Sequence, residues 1–142
     1  VLDSPVSSDH LPREAFLRRL AALHFVFSPY QSGYYNLSAS GALLDAITWL
    51  KPVIATRMPV VSAMFERYGD IGYICDDLGG MQGALEAILQ RMDAGRYRAQ
   101  TEALRRAREA RYPEAVARSY RRIIAEGYDG LLPEPDLNRC GA

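Results

Sequence analysis

Three short apolar runs constrain this sequence more than anything else in it: His24 to Ser28 (HFVFS), Pro52 to Thr56 (PVIAT) and Ile71 to Cys75 (IGYIC). Each is rich in β-branched or aromatic residues and bounded by turn formers, and so reads as a strand, the first of them a buried one. Segments with helical patterning lie between them. Strands alternating with helices at this spacing imply βαβ units with right-handed crossovers. The expected fold is therefore α/β, a Rossmann-like parallel sheet with flanking helices.

The helices are read from caps and periodicity. Ser7, Ser8 and Asp9 offer caps for a helix from about Pro12 to Ala22, with Phe16, Leu17, Leu20 and Leu23 as its apolar stripe. Gly41 opens an apolar helix to Leu50, which the surrounding Leu43, Leu44, Ala46 and Ile47 mark as buried on most sides. Val60 to Tyr68 is a short helix that Gly69 ends. Asp76 or Asp77 caps the next, after a turn at Gly79-Gly80. There Met81, Ala84, Leu85, Ile88, Leu89 and Met92 keep a 3.6-residue period, and Gly95 is the expected stop. From Arg96 the chain is helical again until Pro113 splits it into a helix to about Arg111 and another from about Glu114 to Glu126. The expected organisation is one domain over residues 1–126 and a tail over 127–142.

Composition narrows the function classes. With 142 residues, 49% hydrophobic and 24% charged, one compact core is expected. Seventeen basic residues balance seventeen acids. No global field then draws the chain to nucleic acid, and any charged ligand must be bound locally. The apolar run Leu43 to Leu50 falls well short of the roughly 20 residues a membrane-crossing helix needs. Val1 follows no Met and heads no leader, so the sequence reads as an excised piece. Two cysteines, Cys75 and Cys140, fit reduced thiols and a cytoplasmic location, which the lipid reading of the arginine-rich segment below would make membrane-peripheral. Charge is uneven, however: residues 91–126 hold ten Arg against five acids, and Arg118, Arg121 and Arg122 recur at helical spacing. Two readings stay open for them, a solvated helix face and a contact with anionic lipid headgroups.

The loop after the first strand, PYQSGYYNLSAS, carries the chemistry. In open parallel sheets ligands sit beyond the carboxyl ends of the strands, where loops enter helix N-termini. Ser38, Ser40 and Gly41 precede such a helix. Their hydroxyls, and the N–H groups of Gly41, Ala42 and Leu43, can face an anion. Asp45 follows Gly41 by four residues and shares its helix face. A phosphate at the helix end with a carboxylate one turn later suits a nucleoside diphosphate whose ribose hydroxyls donate to the acid. The plain alternatives are a helix cap, a close-packing glycine and a solvated acid. Tyr30, Tyr34 and Tyr35 can stack on a base or simply pack against helix ends. Gln31, Ser32, Gly33 and Asn36 are sugar-binding candidates and ordinary turn formers alike.

The stretch from Phe25 to Thr56 resembles the signature region of nucleotide-sugar glycosyltransferases of the GT-B fold. Pro29, Asp45, Ala46, Lys51, Pro52, Val53 and Ile54 carry the likeness, and Pro29-Tyr30 with Ser40-Gly41 fits a variant of the pattern. The order of elements extends it over about residues 12 to 126. The resemblance implies the donor-binding part of a C-terminal lobe, with Ser38, Ser40, Gly41, Ala42 and Tyr30 toward the donor and Asp45 on its ribose. It implies transfer of a sugar from a nucleotide-diphosphate donor to an acceptor that the sequence does not identify. Eight positions before Asp45, where many retaining members carry a glutamate, stands Leu37, so retention and inversion both stay open. Nonhydrolysing UDP-sugar 2-epimerases share the fold but usually show Asp-Ser-Gly-Gly where this chain has Ala39-Ser40-Gly41-Ala42. A non-catalytic nucleotide-binding module is the third reading.

No catalytic residue is assigned, because the resemblance places catalytic groups partly in an N-terminal lobe. A fragment of this kind is expected to be inactive alone. His10 and His24 lack partners at zinc-like spacing, so neither a metal nor a cofactor beyond the donor substrate is expected. There is no aromatic interleaving of basic residues, hence no nucleic-acid partner. An uncovered sheet edge and the apolar residues Val116, Tyr120, Ile123 and Ile124 predict a homodimer, or exchange of the helices after Pro113 between chains.

Overall fold

The structure is a computed structural model that describes residues 12–30 and 40–127. Ser7, Ser8, Asp9 and Ser38, and the loop residues 31–39 generally, lie outside the described residues. The described chain runs α1 (Arg13–Ala22), β1 (Val26–Ser28), α2 (Gly41–Thr48), β2 (Val53–Thr56), α3 (Pro59–Tyr68), β3 (Gly72–Cys75), α4 (Leu78–Gln90), α5 (Ala94–Glu109) and α6 (Pro113–Gly127). The strands form one parallel sheet in the order β1-β2-β3. Val26 pairs with Val53, and Val53 with Gly72. An α/β fold with a three-stranded parallel sheet flanked by helices is the arrangement that strand–helix alternation requires. The chain divides into two compact units, Val1–Ala107 and Arg108–Ala142.

In the first unit, β2 is central and all four of its residues are buried. Val53 and Ala55 join Leu43, Ala46 and Ile47 of α2, Val61 and Met64 of α3, and Ala103, Leu104 and Ala107 of α5 in one apolar core. Ile54 alternates to the opposite face. It and Met81 of α4 are fully buried outside that core, and α4 packs on β2 and β3. Burying an aliphatic side chain of this size stabilises the fold by about 1.5–3 kcal/mol.

The expectation of a buried first strand needs correction. Among the described residues β1 has a strand neighbour on one side only, and Phe27 is 47% exposed. The periodic stripe from Met81 to Met92 is likewise only partly covered: Met81 is buried and Ala84 and Ile88 are half-buried, but Leu85, Leu89 and Met92 are exposed, Met92 beyond the end of α4. In α1 only Leu20 is buried, and Phe16 and Leu23 are exposed. In α2, Leu43, Ala46 and Ile47 are buried while Leu44 is exposed, so that helix has one buried face rather than being enclosed on most sides. Periodicity identifies an apolar face; it does not say whether anything covers it.

Local chemistry sets the boundaries. Asp77 caps α4, its carboxylate accepting the Gly80 N–H at 2.7 Å, so Gly79-Gly80 is the first helical turn rather than a turn before the helix. That helix ends at Gln90 and not at Gly95. Asp93 accepts the Arg96 N–H at 2.9 Å and starts α5, which takes Gly95 into its first turn. These backbone hydrogen bonds hold the Asp93 carboxyl below the usual carboxylate range, an effect only partly opposed by desolvation. Pro113 begins α6, because a proline ring is tolerated in a first turn but not in a helix interior.

At its first residue the outer edge of β3 is closed by side chains. The Gly72 N–H donates to Asp70 (3.1 Å), and the Gly72 carbonyl accepts from buried Gln100 (3.1 Å) and from Arg96 (3.3 Å). Arg96 also pairs with Asp70 at 2.9 Å and lies 4.1 Å over the Tyr73 ring. Gly72 itself has φ 153°, and a Cβ there would stand 2.0 Å from the Val53 carbonyl oxygen. Only glycine allows β3 to approach β2 this closely.

Candidate functional site

The carboxyl ends of β1 and β2 and the start of α2 converge. After Ser28 the chain turns at Pro29, with the Tyr30 N–H donating to the Ser28 carbonyl at 3.0 Å. This i to i+2 closure brings Tyr30 back over the strand ends. The Thr56 hydroxyl, at the end of β2, donates to the Tyr30 carbonyl at 2.8 Å. The Tyr30 hydroxyl shares a hydrogen bond with the Ser40 hydroxyl. Tyr30 is thus held by its carbonyl and its hydroxyl, and through it both strand ends are tied to α2.

Ser40 is the N-cap of α2. Its backbone is extended (φ −86°, ψ 116°), and its Oγ accepts the Leu43 N–H at 3.2 Å. This is the usual way for a serine to satisfy one of the orphan donors of a helix start. It also corrects an expectation: the Leu43 N–H is not open to an anion, and the N–H groups of Gly41 and Ala42 remain for one. Gly41 and Ala42 are exposed, and no described residue lies within 4 Å of where a Cβ on Gly41 would be. Packing therefore does not require glycine there.

Asp45 lies one turn further along α2 and is partly exposed. No hydrogen bond or ion pair with a described residue engages its carboxylate. Around it the same helix is committed to the core through Leu43, Ala46 and Ile47. The backbone that carries Asp45 is therefore fixed while its side chain stays available. A helix N-terminus holds partial positive charge from unpaired N–H groups and the aligned peptide dipoles, and α2 has no acid in its first turn to neutralise it.

Lys51 and Pro52 serve the scaffold. Lys51 Nζ donates to the Ala21 carbonyl at the end of α1 (2.8 Å), and Pro52 is fully buried. Reading the sequence alone misses Thr56, whose role depends on a partner 26 residues earlier. It also misses the exposed Arg57–Asp76 pair at 2.6 Å, which sits at the carboxyl ends of β2 and β3. A polar residue ending a buried apolar strand was the one available signal for Thr56. Among the described residues no group of acids, histidines and cysteines is arranged to hold a metal ion.

No family model, curated protein or solved structure matches this chain.

Proposed function

We propose that this chain is the donor-binding part of the C-terminal lobe of a GT-B-type glycosyltransferase, acting on a nucleotide-diphosphate sugar. One observation carries the reading: a serine-capped N-terminus of α2 at the carboxyl ends of parallel strands, with the carboxylate of Asp45, engaged by no described residue, one turn later. In this reading the Gly41 and Ala42 N–H groups donate to the diphosphate, and Ser40 and Tyr30 fix the helix start against the strand ends. Asp45 accepts bonds from the ribose hydroxyls, and Ser38, outside the described residues, is a further candidate to contact the same anion. The helix-terminal charge favours the dianionic leaving group, so this part of the protein binds and orients the donor. Acceptor binding and the remaining catalytic groups belong to a partner lobe.

Calorimetric titration of UDP, GDP and ADP and their sugars tests the reading, on this chain and on a longer parent containing an upstream lobe. Saturable binding of one nucleotide series is expected, with sugar transfer by the parent. Binding of none of them by either protein, together with no sugar transfer or release by the parent, refutes it.

A further inference from the structure

Ser28 at the end of β1, Ser40 before α2 and Thr56 at the end of β2 are all buried, and each is tied to Tyr30. Two of their hydroxyls are engaged within the fold. Thr56 donates to the Tyr30 carbonyl at 2.8 Å, and the Ser40 Oγ accepts the Leu43 N–H while sharing a bond with the Tyr30 hydroxyl. Ser28 differs. Its carbonyl accepts the Tyr30 N–H, but its hydroxyl has no hydrogen-bond partner among the described residues, although Ser28 is only 6% exposed. Burying a hydroxyl forfeits its bonds to water, a net cost to the fold when no protein group replaces them.

The direction of that hydroxyl follows from the strand. Side chains alternate along β1. Val26 packs on the apolar core beneath α2, Phe27 points to the opposite face, and Ser28, in register with Ala55 of that core, returns to the side of α2. Ser28 is the last residue of β1, so its side chain stands at the carboxyl end of the strand, on the face from which α2 starts.

We infer that the Ser28 hydroxyl is a further donor to the anion held at the start of α2, bonding one phosphate oxygen while the Gly41 and Ala42 N–H groups bond another. The inference deepens the donor-binding reading and rests on it for the place of the anion. The local field suits this role, because the positive end of the α2 dipole lies on this side and its first turn holds no acid. An O–H to phosphate bond is charge-assisted, and so stronger than the neutral bonds a buried serine ordinarily makes. Phosphate thus supplies the acceptor that folding withholds from Ser28. A single buried water is the competing occupant, and it would leave anion affinity independent of the hydroxyl.

Calorimetric titration of inorganic pyrophosphate, and of UDP, GDP and ADP, into the unsubstituted chain and Ser28→Ala tests it. Ser28→Ala is expected to weaken pyrophosphate and the bound nucleotide alike, by roughly 10- to 100-fold, since the contact is to the phosphate they share. Its melting temperature should stay the same or rise slightly, because the hydroxyl lacks a partner in the unliganded fold; a lower melting temperature with intact affinity would make Ser28 structural and overturn the inference. Pyrophosphate affinity unchanged by the substitution overturns it and leaves the donor-binding reading standing; this is the result for a hydroxyl occupied by water alone. A loss confined to nucleotides also overturns it, because Ser28 would then meet the nucleoside. Failure of the unsubstituted chain to bind pyrophosphate overturns it as well, whereas the donor-binding reading falls only if the nucleotides fail too.

Discussion

Replacing Ser40 by alanine removes two interactions at once, and their separate sizes can be worked out. One is the N-cap bond from the Leu43 N–H at 3.2 Å; the other is the hydroxyl bond to Tyr30. Loss of a serine cap costs about 1 kcal/mol. Loss of a neutral side-chain bond costs about 1 kcal/mol more. Ser40 is only 8% exposed, so water does not readily replace what is lost. Ser40→Ala is thus expected to destabilise the fold by about 2 kcal/mol. Tyr30→Phe removes the shared bond while keeping the Ser40 cap, and costs about 1 kcal/mol. In the double variant the second change adds little, leaving a coupling energy of about 1 kcal/mol. Urea unfolding followed by far-ultraviolet circular dichroism measures all three. Additive costs, or a Ser40→Ala effect below about 0.5 kcal/mol, would refute the claim that Tyr30 and Ser40 jointly anchor α2.

Gly72→Ala is expected to cost more than about 3 kcal/mol, because strained backbone alone costs about 1–3 kcal/mol and the new Cβ meets the Val53 backbone; near-normal urea stability would contradict the close β2–β3 approach. Gly41→Val should leave the melting temperature almost unchanged, since a Cβ there meets no described residue, yet abolish nucleotide binding in calorimetry; retained affinity would remove the phosphate site. Asp45→Asn is expected to weaken nucleotide binding by about 1–3 kcal/mol without loss of fold, whereas a lower melting temperature with intact affinity would make the acid structural. Burial pushes the Cys75 thiol up from its ordinary range, with the Asp76 and Asp77 carboxylates adding to the effect and Arg57 opposing it. In the folded state Cys75 ionises at higher pH than in the unfolded chain. Any stability linked to it is therefore complete below the unfolded value and lost as pH rises through the folded one. Iodoacetamide should then alkylate Cys75, in a Cys140→Ser background, more slowly at pH 8.5 than it alkylates a free thiol; equal rates would contradict the shift.

What the sequence determined by itself was local. The runs around Val26, Val53 and Gly72 specify strands, because β-branched and aromatic residues bounded by Gly and Pro have few other low-energy states. Asp77, Gly69 and Pro113 mark helix boundaries through hydrogen bonds and ring sterics that involve only near neighbours. Ser40 was legible as a cap for the same reason, and Asp45 as its neighbour one turn along. Tertiary structure decided which apolar faces are covered. Phe27, Leu89 and Tyr120 carry the same strand or helix patterning as buried residues, and their exposure follows from what packs against them. It also decided the long-range polar ties: Thr56 to Tyr30, Lys51 to the end of α1, and Gln100 to the Gly72 carbonyl across 28 residues. A side-chain hydrogen bond acts over about 3 Å, so its partner is fixed only once the chain has folded back on itself.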